Sequence, residues 1–555
     1  CRDLEGAPRC VMESPAAFFE RLDADSVKNV YYGELYLAWH RGTYTAQSKI
    51  KRGVRKAEYA LREAEYLAGL ARIEGLVEGE EETLALLDRL WKTLLFQEFH
   101  DILPGSSIER VNREAESALS QVEQESGALA KELLSKLTGE GALFHSLSWE
   151  RHFAGLVLPP CGYVKLRADV TREEAAAAAP DICGNEGGMG RAVGSGEELV
   201  FSNEFYRARM DSQGRIVSLA DGRSGYEYAC RPLNEWKLYR DVNVDYDAWE
   251  LGRMYEQTPE TLSGEVLLWE ERRPDGSLTV TLQRQEAHFT VTQRICFKAD
   301  SPRIDFETEV DWQERHRILK VDFPTTIYTK EVLEEIQFGY IRRPTHRSRQ
   351  YEQDLYETCH HKYAALTDGE NGLAVINDCK YGLSARDSTL SLTLLRAPVM
   401  PDMRADMGRH RFTYSILPFC GSFVRSRVVK EAYECNVDVT WSGFSKESGV
   451  KDFLPGDIAE VKSFFKLEGG HVILETCKPA FDRKEGVVLR LYESMGCAGE
   501  TWLSVPDRIE KVYECNMLEE ERGELALLEG RVRLAFHAFE IKTLLLVMGK
   551  KDGQP

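Results

Sequence analysis

Residues 97–108 read Gln-Glu-Phe-His-Asp-Ile-Leu-Pro-Gly-Ser-Ser-Ile, and they hold the chain's most chemically capable pair of neighbours. His100 supplies an imidazole that binds a metal or moves a proton near neutral pH, and Asp101 puts a carboxylate beside it. The preceding stretch, Thr83 to Phe99, carries apolar side chains at Leu84, Leu87, Leu90, Trp91, Leu94, Leu95 and Phe99, the stripe of a buried helix. This spacing predicts that His100 and Asp101 sit where that buried helix runs out. Pro104-Gly105 is the stop, and Ser106 with Glu109 forms a capping box opening the next helix. A metal ligand fixed at such a terminus is presented rigidly to a pocket. Read as an ordinary helix end, the same pair is a capping or charge contact.

The elements that position this segment are legible from periodicity. Ala46 to Arg72 places Ala57, Ala60, Leu61, Ala64, Leu67 and Leu70 at near-helical spacing, and Ser107 to Leu137 forms a further helix. Short connections favour antiparallel neighbours, hence a three-helix bundle. Ser14-Pro15 predicts one more helix start nearer the beginning. After Gly139 the period switches to 2, with strands at Ala154 to Leu158 and Tyr163 to Leu166. Residues 170–197, Ala-rich then Gly-rich, read as a linker. Turn signals such as Asp211-Ser212-Gln213-Gly214 and Pro274-Asp275-Gly276 then punctuate alternating strands, among them Ser277 to Gln283 and Arg303 to Trp312. These fit a large antiparallel sandwich. A last β-unit includes Val487 to Tyr492 and Phe539 to Leu546. The expected fold class is α+β, with the helical bundle preceding antiparallel β-sandwich domains. The expected boundaries are 1–30 for the end of a preceding domain, 31–138 for the bundle, and 139–197 for a small β-unit and linker. A large sandwich at 198–430 and a terminal β-domain at 431–555 complete the series.

Composition narrows the function. The chain has 555 residues and a formal charge of −20, which argues against nucleic acid and anionic membrane as partners. Its 13 cysteines are scattered without a Cys-x-x-Cys pair, as for reduced thiols. No Asn-x-Ser/Thr sequon and no apolar run of transmembrane length occur. A cytoplasmic protein acting on neutral substrates is expected.

A second unusual string lies at Gly33-Glu34-Leu35-Tyr36-Leu37-Ala38-Trp39-His40-Arg41-Gly42-Thr43-Tyr44-Thr45-Ala46-Gln47. With Phe99-His100-Asp101-Ile102-Leu103-Pro104-Gly105, Ser301 to Thr308, Trp312 to His316 and Asn377 to Gly382, it resembles glycoside hydrolase family 38, the α-mannosidases, in their cytosolic and bacterial branch. The resemblance implies a bundle following a catalytic α/β domain, then β-domains that include a galactose-mutarotase-like sandwich. It implies that His100 is a zinc ligand and that Asp101 contacts the metal-bound sugar. It also implies a place facing the sugar for His40, with Arg41 and Tyr44 beside it, and Arg396 resembles a position from which the family reaches into the site. Packing of the bundle is the other reading of His40, Arg41 and Tyr44, and a structural salt bridge that of Arg396. Asp247, Trp249 and His410 are weaker candidates. The implied substrate is an α-mannoside oligosaccharide, and association into a homo-oligomer is also implied.

The implied reaction is hydrolysis with retention, in which one carboxylate attacks the anomeric carbon and another serves as acid and then base. Zinc would hold the sugar hydroxyls, through four ligands of His and Asp type. The family's His-x-Asp ligand pair has no counterpart here, because no His-x-Asp occurs in the chain. The resemblance therefore implies a C-terminal portion of an α-mannosidase, inactive alone, with nucleophile and acid/base upstream. A non-catalytic carbohydrate-binding or subunit-docking module is the alternative.

Overall fold

The structure is a computed structural model describing residues 4–22, 28–31, 33–76, 78–168, 190–243, 245–443 and 453–549. Most of the expected linker at 170–197 lies outside the described residues. The chain divides into a short unit, 1–38, and a large one, 39–555. In the short unit, helix α1 (Pro15–Arg21) begins at Ser14, whose hydroxyl accepts from the Ala17 N–H at 3.2 Å, and none of its residues is buried.

The large unit opens with a 3-10 turn, Arg41–Tyr44, followed by three long helices that pack on one another: α2 (Ser48–Glu74), α3 (Glu80–Gln97) and α4 (Glu109–Thr138). Ala57, Leu61, Ala64 and Leu67 of α2 meet Leu87, Leu90 and Leu94 of α3 and Leu119, Val122 and Leu133 of α4 in one core. Gly75, at φ +73, ends α2, and three glutamates in the first turn of α3 face its positive dipole end. The capping box expected at Ser106 and Glu109 does not form. Ile108 is the N-cap of α4, without a side-chain bond. The hydroxyl of Ser107 donates instead to Asp101 O at 2.7 Å, a local acceptor that wins over the helix end.

The large sandwich faces a ten-stranded antiparallel sheet onto a six-stranded one. Phe306 stacks on Tyr414 within the ten-stranded sheet, and Phe323 of the six-stranded sheet meets both rings across the gap, within a core of aliphatic and aromatic residues. Helix α5 (Val428–Asn436) follows the last long strand, Gly408–Cys420. A five-stranded and a four-stranded sheet build the terminal β-region. A small sheet lies between the expected domains. Strand Ala142–His145 pairs on one side with Thr440–Trp441 and on the other with Gly162–Leu166, which pairs in turn with Ile458–Ser463. Segments assigned from sequence to 139–197 and to 431–555 thus share one sheet. No helix among the described residues is long and apolar enough to cross a membrane.

Candidate functional site

The two strings singled out in the sequence meet at the N-terminal end of α2. In the 3-10 turn, the Gly42 N–H donates to Trp249 O at 2.9 Å, and the His40 N–H donates to Glu250 Oε1 at 2.6 Å. A Cβ on Gly42 would stand 2.1 Å from Arg396 Nη1 and 2.8 Å from Ala248 O, so the turn seats on the sandwich only as glycine.

Arg396 is 0% exposed. Its Nε donates to Asp241 at 2.7 Å, Nη1 to Ala248 O at 3.0 Å, and Nη2 to Asp247 O and Glu250 O, both at 2.5 Å. Burial raises the Asp241 carboxyl, and Arg396 opposes that rise. A buried guanidinium has to satisfy its donors internally, and these bonds fix the 241–250 loop. Arg396 forms the structural salt bridge that was its other reading, with Asp241, and its bonds hold residues 247–250, on which the 3-10 turn seats. Arg41 is buried too, with its guanidinium 4.3 Å over the Tyr356 ring and its Nε donating to Asp354 O at 3.1 Å. Of this group only His40 is exposed, and Tyr44 is half-buried. Asp247 accepts from the backbone N–H of Val399 at 2.6 Å, and half-buried Trp249 packs edge-on against Tyr246.

The first turn of α2 has no local cap. Gln47, at φ +57, and Ser48 donate their N–H groups to the two oxygens of Asp406, at 2.8 and 2.6 Å. Asp402 accepts from Gln47 Nε2 at 2.9 Å and from Asn112 Nδ2 at 3.0 Å, tying α4 to the same point. His410, the weak sequence candidate, is buried behind this loop and donates from Nε2 to Asp406 O at 2.6 Å. Burial pushes its imidazole down to about 3, so it is neutral.

Lys51 carries this anchoring to the His100 turn. Its buried ammonium donates to Ala46 O, to Leu103 O at 3.0 Å and to Pro104 O at 3.3 Å. Burial pulls the ammonium down while Asp406 holds it up; three carbonyl acceptors suit the charged form. Gly105, at φ +79, lies so close to α2 that a Cβ would stand 2.5 Å from Ala46 O. Ile102 plugs into the bundle core. On this base His100 and Asp101 project outward with side chains 77% and 53% exposed, His100 Nε2 lying 3.7 Å from Asp101 Oδ2. The His100 ring packs on Phe99 with centroids 4.1 Å apart.

The expectation of a buried helix terminus is therefore corrected in part. The turn's backbone is anchored in the interior, but Leu95, Phe96 and Phe99 at the end of α3 are all more than half exposed. Sequence reading missed Lys51, Asp402 and Asp406. A signal for Lys51 existed: Lys51, Arg55 and Arg62 recur at helical spacing on a helix that also carries an apolar stripe, and all three are buried. Nothing local marks the two aspartates.

Among the described residues, no three His, Cys, Asp or Glu side chains gather as a metal ion requires. His100 and Asp101 offer two donors where tetrahedral zinc takes four, so the described residues do not fit a complete zinc site.

Three family models match the chain: the α-mannosidase middle domain over residues 38–137, the glycosyl hydrolases family 38 C-terminal domain over 201–404, and the family 38 C-terminal β-sandwich domain over 471–544. The chain belongs to glycoside hydrolase family 38. The family's middle-domain match includes residues 40–47 and 99–105, which meet at the α2 terminus. Alpha-mannosidase 2C1 of Mus musculus is 32% identical over 98% of this chain and 53% of its own length. Alpha-mannosidase G of Dictyostelium discoideum is 29% identical over 98% of this chain and 55% of its own. The chain thus spans about half the length of the curated relatives it matches. A crystal structure of an alpha-mannosidase from Enterococcus faecalis V583 superposes with TM-score 0.72 at 16% identity, over 96% of this chain and 71% of that one, which shows a shared fold.

Proposed function

We propose that this family 38 chain is part of a retaining, zinc-dependent α-mannosidase that removes terminal α-D-mannosides from oligosaccharides in the cytoplasm. One observation carries the reading. The 40–47 and 99–105 strings, more than fifty residues apart in sequence, are locked together at the start of α2 by Lys51 and Gly105, and that lock holds His100 and Asp101 outward. A module that only bound another chain would have no use for so rigid a presentation of an imidazole and a carboxylate. His100 is proposed as one ligand of the metal, and Asp101 and His40 as groups facing the sugar.

Retention needs two carboxylates about 5 Å apart. The two strings supply only Asp101, so the nucleophile and acid/base are proposed to come from sequence outside these 555 residues. Within the chain, Lys51 and Arg396 act as positioning residues. The metal, when bound, supplies a positive centre for sugar hydroxyls. The chain's own residues fix the geometry around that centre.

The test is release of 4-nitrophenol from its α-mannoside. The complete polypeptide is expected to turn over and to lose both bound zinc and activity, by at least roughly a hundredfold, on His100→Ala. The 555-residue chain alone is expected to be inactive. Unchanged zinc content and turnover in His100→Ala would sink the proposal and leave the carbohydrate-binding or docking module.

A further inference from the structure

The polar stripe of α2 leads from Lys51 into a cavity of about 390 Å³, walled by α2 and α3, the large sandwich, α5 and the terminal β-region. No residue of 40–47 or 99–105 lines it.

Two of its cations are neutralised in place. Arg62 bonds Glu63 at 2.9 Å and Glu475 at 3.2 Å, and Lys362 lies 2.8 Å from Glu335 and 4.3 Å over the Tyr433 ring. Arg55 is different. It is 2% exposed, its Nε and Nη1 reach only Tyr381 Oη and Asn436 Oδ1, both at 3.0 Å, and its Nη2 has no hydrogen-bond partner. No carboxylate lies within ion-pair distance of it among the described residues. One helical turn on, the carboxyl of Glu58 and the hydroxyl of Tyr59 line the cavity without a hydrogen bond to any described residue. Burial lifts the Glu58 carboxyl to about 7, where it both donates and accepts near neutrality. The rings of Trp91, Phe338 and Tyr433 form apolar wall.

Guanidinium, carboxyl and hydroxyl left unsatisfied beside the Trp91 and Phe338 rings suit a ligand of alternating hydroxyls and C–H faces. An anion fits worse, because the Glu65 carboxyl, which accepts from Trp91 Nε1 and has no cation within ion-pair distance among the described residues, shares the wall. We infer that this cavity is a second saccharide site, which takes an uncharged oligosaccharide segment apart from the His100 turn.

The test is saturation-transfer NMR on the 555-residue chain, with an α-linked mannotriose as probe and glucuronic acid and inorganic phosphate as competitors. The triose is expected to bind without displacement by either anion. Trp91→Ala and Gln337→Ala, at two separate walls and each checked for an unchanged melting temperature, are expected to bind roughly tenfold more weakly. His100→Ala is expected to bind as the parent does. Absence of triose transfer would overturn the inference. So would displacement by phosphate or glucuronate, or binding that survives both cavity variants and is lost in His100→Ala. The mannosidase reading is judged by turnover of the complete polypeptide, so the two fail independently.

Discussion

Lys51 offers no charge to solvent, yet without it the carbonyls of Ala46, Leu103 and Pro104 would lose their donor inside the protein. Lys51→Met keeps the stem and removes the ammonium; it is expected to cost about 1–3 kcal/mol in chemical denaturation. Amide exchange at Gly105, whose N–H bonds Ile102 O at 3.0 Å, should quicken if the turn loosens as predicted. Behind the same loop, His410 makes a prediction about pH. Its folded value is pushed from 6.5 down to about 3 by burial, so below 6.5 the unfolded chain binds a proton that the folded chain refuses. Its contribution to stability is complete above about pH 6.5 and is lost as pH falls toward 3. His410→Gln, which retains a donor for Asp406 O, should flatten the melting-temperature profile between pH 6.5 and 4 relative to the parent. Equal slopes would contradict this account. At this scale the sequence exposed the residue types at His100 and Asp101 but left two readings of Arg396 side by side, because a buried structural arginine and a substrate-binding one read alike until their acceptors are seen.

Helix α2 is an element completed from elsewhere in the chain. Asp406→Ala removes both acceptors of its first turn and is expected to cost about 1–2 kcal/mol, the worth of a helix cap. Exchange should rise at Gln47 and Ser48 while the Gly408–Cys420 strand keeps its protection; uniform loss would mean that Asp406 supports the sandwich instead. The helices themselves were legible: Ala46 to Arg72 was expected and Ser48–Glu74 is found, and Thr83 to Phe99 corresponds to Glu80–Gln97. Apolar spacing decides such elements locally. Strands were legible for the same reason, Arg303 to Trp312 appearing as Ile304–Trp312. The cap of α2 and the small sheet were not, since each depends on partners hundreds of residues away that leave no mark on local pattern.

Across the whole molecule, Leu95, Phe96 and Phe99 leave an apolar edge beside the exposed imidazole. The purified chain is expected to bind an apolar dye and to scatter light as more than a monomer, and Phe96→Glu with Phe99→Glu should reduce both. A dye-silent monomer would show that this edge is not adhesive. The distant cap of α2 also bears on how the protein is made. Asp406 follows Gln47 by 359 residues, so the acceptor for that first turn leaves the ribosome long after the helix itself. At about 5–20 residues per second the gap lasts on the order of half a minute, during which the turn below His100 waits unfinished. Nascent chains halted before Asp406 should therefore carry a helical middle domain whose chemical end is still slack, and the site would become rigid only after Asp406 has emerged.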